Sequence, residues 1–414
     1  MAEAPLVDTL DGLQQSYDET PYHDQRYPLF TLDRLLGHAQ LFGLCEPGRT
    51  SEGARVLDLG CASGQHLRHE AALHPHTSFT GIDFSSEEIE LGRKAVCEEG
   101  LVNVELVQAD LRGLEVEPGA FDVVVCHGVF SWVPDDVKER ILLLCRQALA
   151  PGGVGAIAYL TYPGWKQREA IRELLTMRDR SDRPARERIE ESARLLRVLQ
   201  ASYASREDDP HAAGLLAVVE SMQQSSSNAF VHDELGSVHD PCYFLQFVEW
   251  AGECGLQYLA EADLGSMSTE ALAPADARIL DTLAPNALET QQLVDFVVNR
   301  SGRASLLTRD DAAPARQIGR ETLTALHYAT RWWDVTPLNA RDDEGALFES
   351  PAGRRMETTS PDVRALLSAL TEGRDRTWSW PALRARIGLS DDELLELIPA
   401  LLAKGVLEPR APSV

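Results

Sequence analysis

"VLDLGCASG", residues 56–64, starts as a strand and ends as a turn. Val56, Leu57 and Leu59 suit a buried strand. Gly60 and Gly64 allow a tight backbone turn and the close approach of a ligand to the N-terminus of the next helix, "QHLRHEAAL". The same unit recurs downstream. "SFTGIDF" (78–84) predicts a second strand, and "SSEEIELGRKAVCEEG" (85–100) a helix with a Ser-Ser-Glu-Glu start signal. "VNVELVQAD" (102–110), "FDVVVCH" (121–127) and "PGGVGAIAYLTY" (151–162) predict three more strands, with the helix "PDDVKERILLLCRQAL" before the last. Strands alternating with helices at this spacing predict right-handed βαβ units and a parallel sheet covered on both faces. The fold class is a doubly wound, Rossmann-like α/β domain over residues 51–165.

Residues 1–50 are read as an N-terminal helical cap. After Trp165 the alternation stops, and the charged, helical stretch 166–235 is an insertion ending at the polar spacer "QQSSSN". Residues 236–310 resume the sheet: "PCYFLQFVEWAGECG" is an amphipathic helix, and "LQYLAEAD" and "RASLLTRD" are strands. Residues 311–414 form a further α+β region. It has a hairpin at "ALFESPAGRRMETT", three helices and a closing strand "VLEPR", which is a winged-helix-like order. A DNA-reading third helix presents Arg, Lys or Asn, whereas this one opens Asp391-Asp392-Glu393 and would repel phosphates. Packing or protein contact suits it better, and Trp332-Trp333 reads as packing between subdomains.

The chain of 414 residues carries a net charge of −26, a surface that disfavours nucleic acid and anionic lipid and attracts cationic partners. No apolar run reaches the ~18 residues of a membrane helix, and "MAEAPLVDTLDG" lacks the basic start and apolar core of a signal peptide. The expected location is the cytoplasm, with no membrane partner. Seven cysteines without a C-x-x-C pair read as reduced thiols rather than a disulfide or zinc framework. His66 and His69 fall on a helix and His74 and His76 in the loop after it, so no metal is expected.

A glycine-rich turn after a first strand is shared by several nucleotide-binding classes. Three details separate them. Gly60-x-x-x-Gly64 is not G-x-G-x-x-G, and Ala62 holds the middle position. Asp58 sets a carboxylate beside the turn, unwelcome to a pyrophosphate and suited to an amino group. Asp83 ends the second strand about twenty residues on, where an acid binds ribose hydroxyls. With Asp110 after the third strand, these residues describe a site for S-adenosylmethionine (SAM). The order D-x-G-x-[AG]-x-G … D … D resembles the class I SAM-dependent methyltransferases.

Further along, "SYDETPY", "LGCASG", "CHGVFSWVP", "TYPGW" and "FVHDELGSVHDPCYF" together resemble bacterial methyltransferases that carry a methyltransferase regulatory domain. Rickettsial protein-lysine methyltransferases acting on an outer-membrane protein belong to that group. The resemblance covers roughly residues 15–310. It implies SAM contacts at Tyr17, Asp58, Gly60, Cys61, Gly64, Asp83, Phe84, Asp110, Leu111 and His127, with Tyr22, Trp132, Trp165 and His232 toward the acceptor. The chain departs from those relatives at Asp24–Leu32, Leu160, Lys166 and His239, positions that face an acceptor.

In this fold His127 and Gly128 stand at the carboxyl end of the fourth strand, in the crevice where open α/β sheets bind ligands. "CHGVF" is not the [ND]-P-P-[YF] of base-modifying amino-methyltransferases. Methyl transfer needs an aligned, dry nucleophile that has lost its proton. His127, Tyr162 and Tyr17 are the candidate catalytic residues, with positioning as the main device. The expected acceptor is a protein lysine. The alternatives are a small-molecule or natural-product N/O/S-methyltransferase, or a SAM-sensing regulatory protein without catalysis. The expected state is a monomer or homodimer.

Overall fold

The computed structural model describes residues 26–179, 183–206, 208–225, 227–236, 238–269, 274–315, 317–337, 345–371 and 376–412. Helix α1 (Leu32–Leu41) precedes β1 (Arg55–Leu59), α2 (Gln65–Leu73), β2 (Ser78–Asp83), α3 (Ser86–Glu98), β3 (Val104–Gln108), β4 (Phe121–Cys126), α4 (Asp135–Ala148) and β5 (Leu149–Leu160). Four helices follow: α5 (Trp165–Arg178), α6 (Ala185–Ala204), α7 (Pro210–Gln223) and α8 (Ser227–Leu235). Then come α9 (Phe244–Glu253), β6 (Leu256–Glu261), α10 (Pro274–Leu283), α11 (Ala287–Val298) and β7 (Gly302–Arg309).

These strands form one sheet in the order β3-β2-β1-β4-β5-β7-β6. The first five are parallel, as the alternation predicts. The parallel pattern stops at β7, which pairs antiparallel with both β5 and β6. The connection through α10 and α11 leaves and re-enters the sheet at its carboxyl edge, so β7 has to run back. Successive side chains of a strand point to opposite faces, and β1 shows it. Leu57 and Leu59 face α4 and α9 with Ile141, Leu144 and Phe247, while Val56 faces α1 and α2 with Leu35, Leu67 and Phe79.

Helices α5–α8 bury a core of their own around Ile171, Leu175, Leu196, Val219, Met222 and Phe230. Beyond β7, α12 (Arg320–Ala325), β8 (His327–Ala329), β9 (Trp333–Asp334), β10 (Ala346–Glu349), β11 (Arg355–Thr358), α13 (Pro361–Thr371), β12 (Trp378–Ser379), α14 (Trp380–Ile387), α15 (Asp391–Ala403) and β13 (Glu408–Arg410) build a third core. Its two small sheets run β11-β10-β9 and β12-β8-β13, and β10 and β11 are the hairpin expected around Ala352-Gly353. Trp332 packs inside this core and donates its indole N–H to the Gly405 carbonyl at 2.8 Å.

Strand β13 is clasped against α1. Ala411 N–H donates to the Asp33 carbonyl at 2.7 Å, and Arg410 donates to the Asp33 carboxylate and the Thr31 hydroxyl, each at 2.9 Å. The buried Arg34 pairs with the buried Glu408 and also donates through Nε to the Ala262 carbonyl at 3.1 Å. A Cβ at Gly37 would lie 2.5 Å from the Pro409 carbonyl oxygen, so the two segments touch backbone to backbone.

The start of α1 is fixed by Glu70 of α2, whose Oε2 accepts the Leu32 N–H at 2.8 Å. Burial pushes this carboxyl from its ordinary 4.5 to about 7, partly offset by that hydrogen bond. A raised folded pKa favours the fold below pH 4.5. Its contribution is lost as pH rises to about 7, because the unfolded chain ionises there and the folded chain does not. Glu70→Gln is therefore expected to gain roughly 3 kcal/mol over the native chain near pH 8 and little near pH 4. Urea midpoints of the two chains at both pH values check it.

Candidate active site

The turn "GCASG" leaves β1 with Gly60 at φ +84°, and a Cβ there would lie 2.2 Å from the Val129 Cγ2 atom. No larger residue fits without moving the segment after β4. Ala62 adopts φ +48°, a strained backbone for a side chain, and its N–H is held by Asp83 Oδ2 at 2.8 Å. The other oxygen, Oδ1, accepts the Ser85 N–H at 2.9 Å. One carboxylate at the end of β2 thus fixes both the glycine turn and the entry to α3.

Above this floor lies a cavity of about 200 Å³ at the carboxyl ends of β1, β2 and β4. Of the residues singled out in the sequence, Gly60, Asp83, Phe84, Asp110, Leu111, His127, Trp132 and His232 line it. Asp58, Cys61, Gly64, Tyr162 and Trp165 do not. Tyr17 and Tyr22 lie outside the described residues. Asp58 is buried beneath the floor, paired in register with Gly81 and Val125. After burial, its charge is the next cause that raises the Cys126 thiol well above its ordinary value. Cys61 turns its sulfur toward the Ala62 carbonyl at 3.4 Å, and Gly64 caps α2.

Tyr162 donates its hydroxyl to Glu169 of α5 and carries Lys166 over its ring at 3.6 Å. Burial and then Glu169 raise its pKa, so it holds its proton where a catalytic base would release it. Trp165 instead makes an edge contact with Trp132 at 6.3 Å, beside His239 at 4.9 Å.

His127 stacks on Tyr27 at 3.7 Å between ring centroids and meets the edge of Phe30 at 5.6 Å. Burial, then the neighbouring His66, lowers its pKa to about 4. It is neutral at physiological pH and too weakly basic to draw a proton from an amine. His66 accepts the Tyr27 N–H on Nδ1 at 3.4 Å, so its Nε2 carries the proton that meets the Phe30 carbonyl at 3.2 Å. Tyr27, which the sequence offered only within the departing stretch Asp24–Leu32, lines the cavity too, as do Ser85, Glu88 and Asp233, which the sequence reading did not single out. The 127–30 neighbourhood joins segments a hundred residues apart, and no local pattern announces it. At the far side, partial burial would raise the Asp110 carboxyl, but hydrogen bonds from Arg112 win and hold it below its ordinary value.

The lining suits an adenosyl group. Ile82, Phe84, Leu111 and Val137 supply apolar walls, Asp83 a fixed carboxylate, and the absent Cβ of Gly60 a close backbone approach. Among the described residues no group of three or more His, Cys, Asp or Glu is placed to hold a metal ion, and no helix is long and apolar enough to cross a membrane.

A second cavity, of about 420 Å³, lies over the β5-β7-β6 half of the sheet edge. It shares His127, Gly128, Val129 and Trp132 with the first. Gly128, at φ +71°, has no atom within 4 Å of where a Cβ would sit, so it borders both cavities with open space beside it. Its floor is a buried ionic cluster. Arg303 donates to Glu261 at 2.6 Å and to both oxygens of Asp295 at 2.8 Å, and Arg300 also holds Asp295.

A seven-stranded sheet with this order and this carboxyl-edge site defines a class I SAM-dependent methyltransferase. Comparison with known proteins agrees. Residues 56–153 match the family described as "Methyltransferase domain", and residues 226–309 the one described as "Predicted methyltransferase regulatory domain". The uncharacterized protein RP028 of Rickettsia prowazekii (strain Madrid E) is 33% identical over 240 residues, 57% of this chain and 93% of that protein. RP789 of the same strain is 29% identical over 394 residues, 93% of this chain and 70% of its own length. PKMT2 from Rickettsia typhi, solved in complex with AdoHcy, superposes with a TM-score of 0.77 at 26% identity, covering 94% of this chain and 77% of that one. The chain belongs to the methyltransferases that carry this regulatory domain.

Proposed function

We propose that the chain methylates the side-chain amine of a protein lysine. The observation that carries this reading is the pair of cavities meeting at His127, Gly128, Val129 and Trp132. One suits the adenosyl group; the other, over the far half of the sheet, suits an acceptor. The second also shares Leu29 and Asp263 with a third cavity beside Arg331, Trp332 and Arg354. An extended path of this kind accommodates a polypeptide better than an enclosed metabolite pocket would. Net charge −26 favours a basic partner, and the sequence resembles rickettsial protein-lysine methyltransferases.

SAM, when bound, supplies a methyl already activated on a sulfonium. The protein's work is to orient and to exclude water. Asp83, Phe84 and Leu111 hold the adenosyl end. The stacked Tyr27 and His127 form a neutral aromatic wall toward the transferred group, where a protonated imidazole would repel it. Trp132 presents an indole to both cavities and can face an incoming ammonium.

The full chain, given SAM labelled in its methyl group and a bacterial lysate, is expected to put label into protein, recovered after acid hydrolysis as Nε-methyl-lysine. Label confined to metabolites, or to another residue of the protein, would sink the reading.

A further inference from the structure

Asp233 stands in the wall of the cofactor cavity, carried there by α8 together with His232. It arrives on the helical insertion rather than on the sheet. Helix α8 is tied down by two arginines of α5. Arg168 pairs with the buried Glu234, and Arg172 donates to the main-chain carbonyls of Asp233, at 3.1 Å, and of Gly236. Both guanidinium groups are thus engaged by Glu234 and the backbone, and the Asp233 side chain is left to the cavity. Asp233 and His239 share the field of Arg168 and Arg172, and the His239 ring lies 5.2 Å from Trp132. Asp233 and Trp132 line the same cavity, and Trp132 also borders the second.

We infer that Asp233 receives the ammonium of the acceptor and takes its proton. The inference rests on the amine reading above. A proton passes from the acceptor nitrogen to an Asp233 oxygen. The freed lone pair forms the N–C bond to the methyl carbon as the C–S bond breaks and its electron pair goes to sulfur; the proton then leaves Asp233 for water.

The chemistry of the surroundings fits. Burial, and then the like charge of Glu234, raises the Asp233 carboxyl from 3.8 to about 7, against the pull of Arg168 and Arg172. A base near the working pH is far better matched to an amine than His127 at about 4. Asp233 is anionic above about pH 7 and neutral below it. The other ionisable groups on the same cavity are Tyr27, Asp83, Glu88 of α3, Asp110, His127 and His232 of α8.

Sinefungin carries a primary amine where SAM carries its methylsulfonium, and S-adenosylhomocysteine (AdoHcy) carries neither charge. Calorimetric titration of both into the full chain and into Asp233→Asn reads the proposal without an acceptor. Near pH 8 the sinefungin-to-AdoHcy affinity ratio is expected to fall about tenfold or more in Asp233→Asn, the loss of one charge-assisted hydrogen bond. AdoHcy affinity should stay within about twofold, which also reports an intact fold. In the native chain the ratio should fall similarly between about pH 8 and pH 6; in the variant it should be flat, which separates Asp233 from His232. Should the amide disturb α8, Asp233→Ser is read by the same ratio. A ratio unchanged by substitution, with AdoHcy still bound, overturns the proposal. If methyl-lysine forms and the ratio is unchanged, Asp233 alone is wrong. If label falls on oxygen or sulfur, the amine reading fails and the proton transfer with it.

Discussion

Asp83→Ala is expected to weaken binding of SAM and AdoHcy by about 10²-fold or more. The carboxylate holds two backbone N–H groups, of Ala62 at 2.8 Å and Ser85 at 2.9 Å. Hydrogen bonds to a charged partner contribute about 1.5–3 kcal/mol each, and 2.7 kcal/mol is about a hundredfold in affinity. The effect runs through the turn as well as through the ribose. Freed of Asp83, Ala62 can leave its φ of +48°, and the turn that brings the Gly60 backbone to the ligand relaxes with it. Asp83→Asn keeps one acceptor oxygen and should lie between the two. Calorimetric affinities for the three chains decide the matter. An unchanged affinity in Asp83→Ala would remove the residue from the site.

The largest loss of stability is expected from Arg303→Ala, about 3–5 kcal/mol, the cost of breaking a buried ion pair from one side. Arg303 is 4% exposed and ties β6, β7 and α11 together through Glu261, Asp295 and the Gln291 carbonyl. Asp295 would keep Arg300. Glu261 would keep hydrogen bonds from Tyr258, Ser305 and the Ala304 N–H but lose its ion-pair partner. Arg303→Lys should recover little, since an ammonium cannot reproduce the forked contacts. Urea midpoints read the effect, and a loss below about 1 kcal/mol would show that the cluster relaxes around the gap.

How far the fold could be read from the chain follows from where its signals are local. Residues 55–160 alternate apolar strand runs with helices, and the five parallel strands and the glycine turn lie where the pattern puts them. Strands β8, β9 and β12 are two or three residues long, too short for any period, so beyond residue 311 the three helices, the hairpin and the closing strand "VLEPR", which holds β13, were legible. Helices α10, opened by Pro274 and followed by Pro285, and α11, which together turn β7 around, were not anticipated. In the site, Asp83 and Gly60 announced themselves by spacing. Asp58 reads as a ligand from its place beside the turn, and the fold sets it buried between β2 and β4, outside the cavity lining. Asp233 went unseen, and Tyr27 was seen only as part of the departing stretch Asp24–Leu32, because each reaches the cavity from another part of the chain. Nothing in "RYPLF" or "VHDEL" marks the partner across the fold.

The clasp between α1 and β13 bears on when this enzyme can begin to work. Asp33 and Arg410 are separated by 377 residues. At ~5–20 residues per second of synthesis, the helix waits roughly 20–75 s before the strand that grips it leaves the ribosome. Tyr27 and Phe30, which stack around His127, sit just ahead of that helix. The sheet and its glycine turn can form early on the nascent chain. The grip on the helix closes only after residue 411 is made, so a half-translated chain holds the glycine turn and the His66 and Glu70 anchors of Tyr27, Phe30 and Leu32 before the strand that clasps α1 exists.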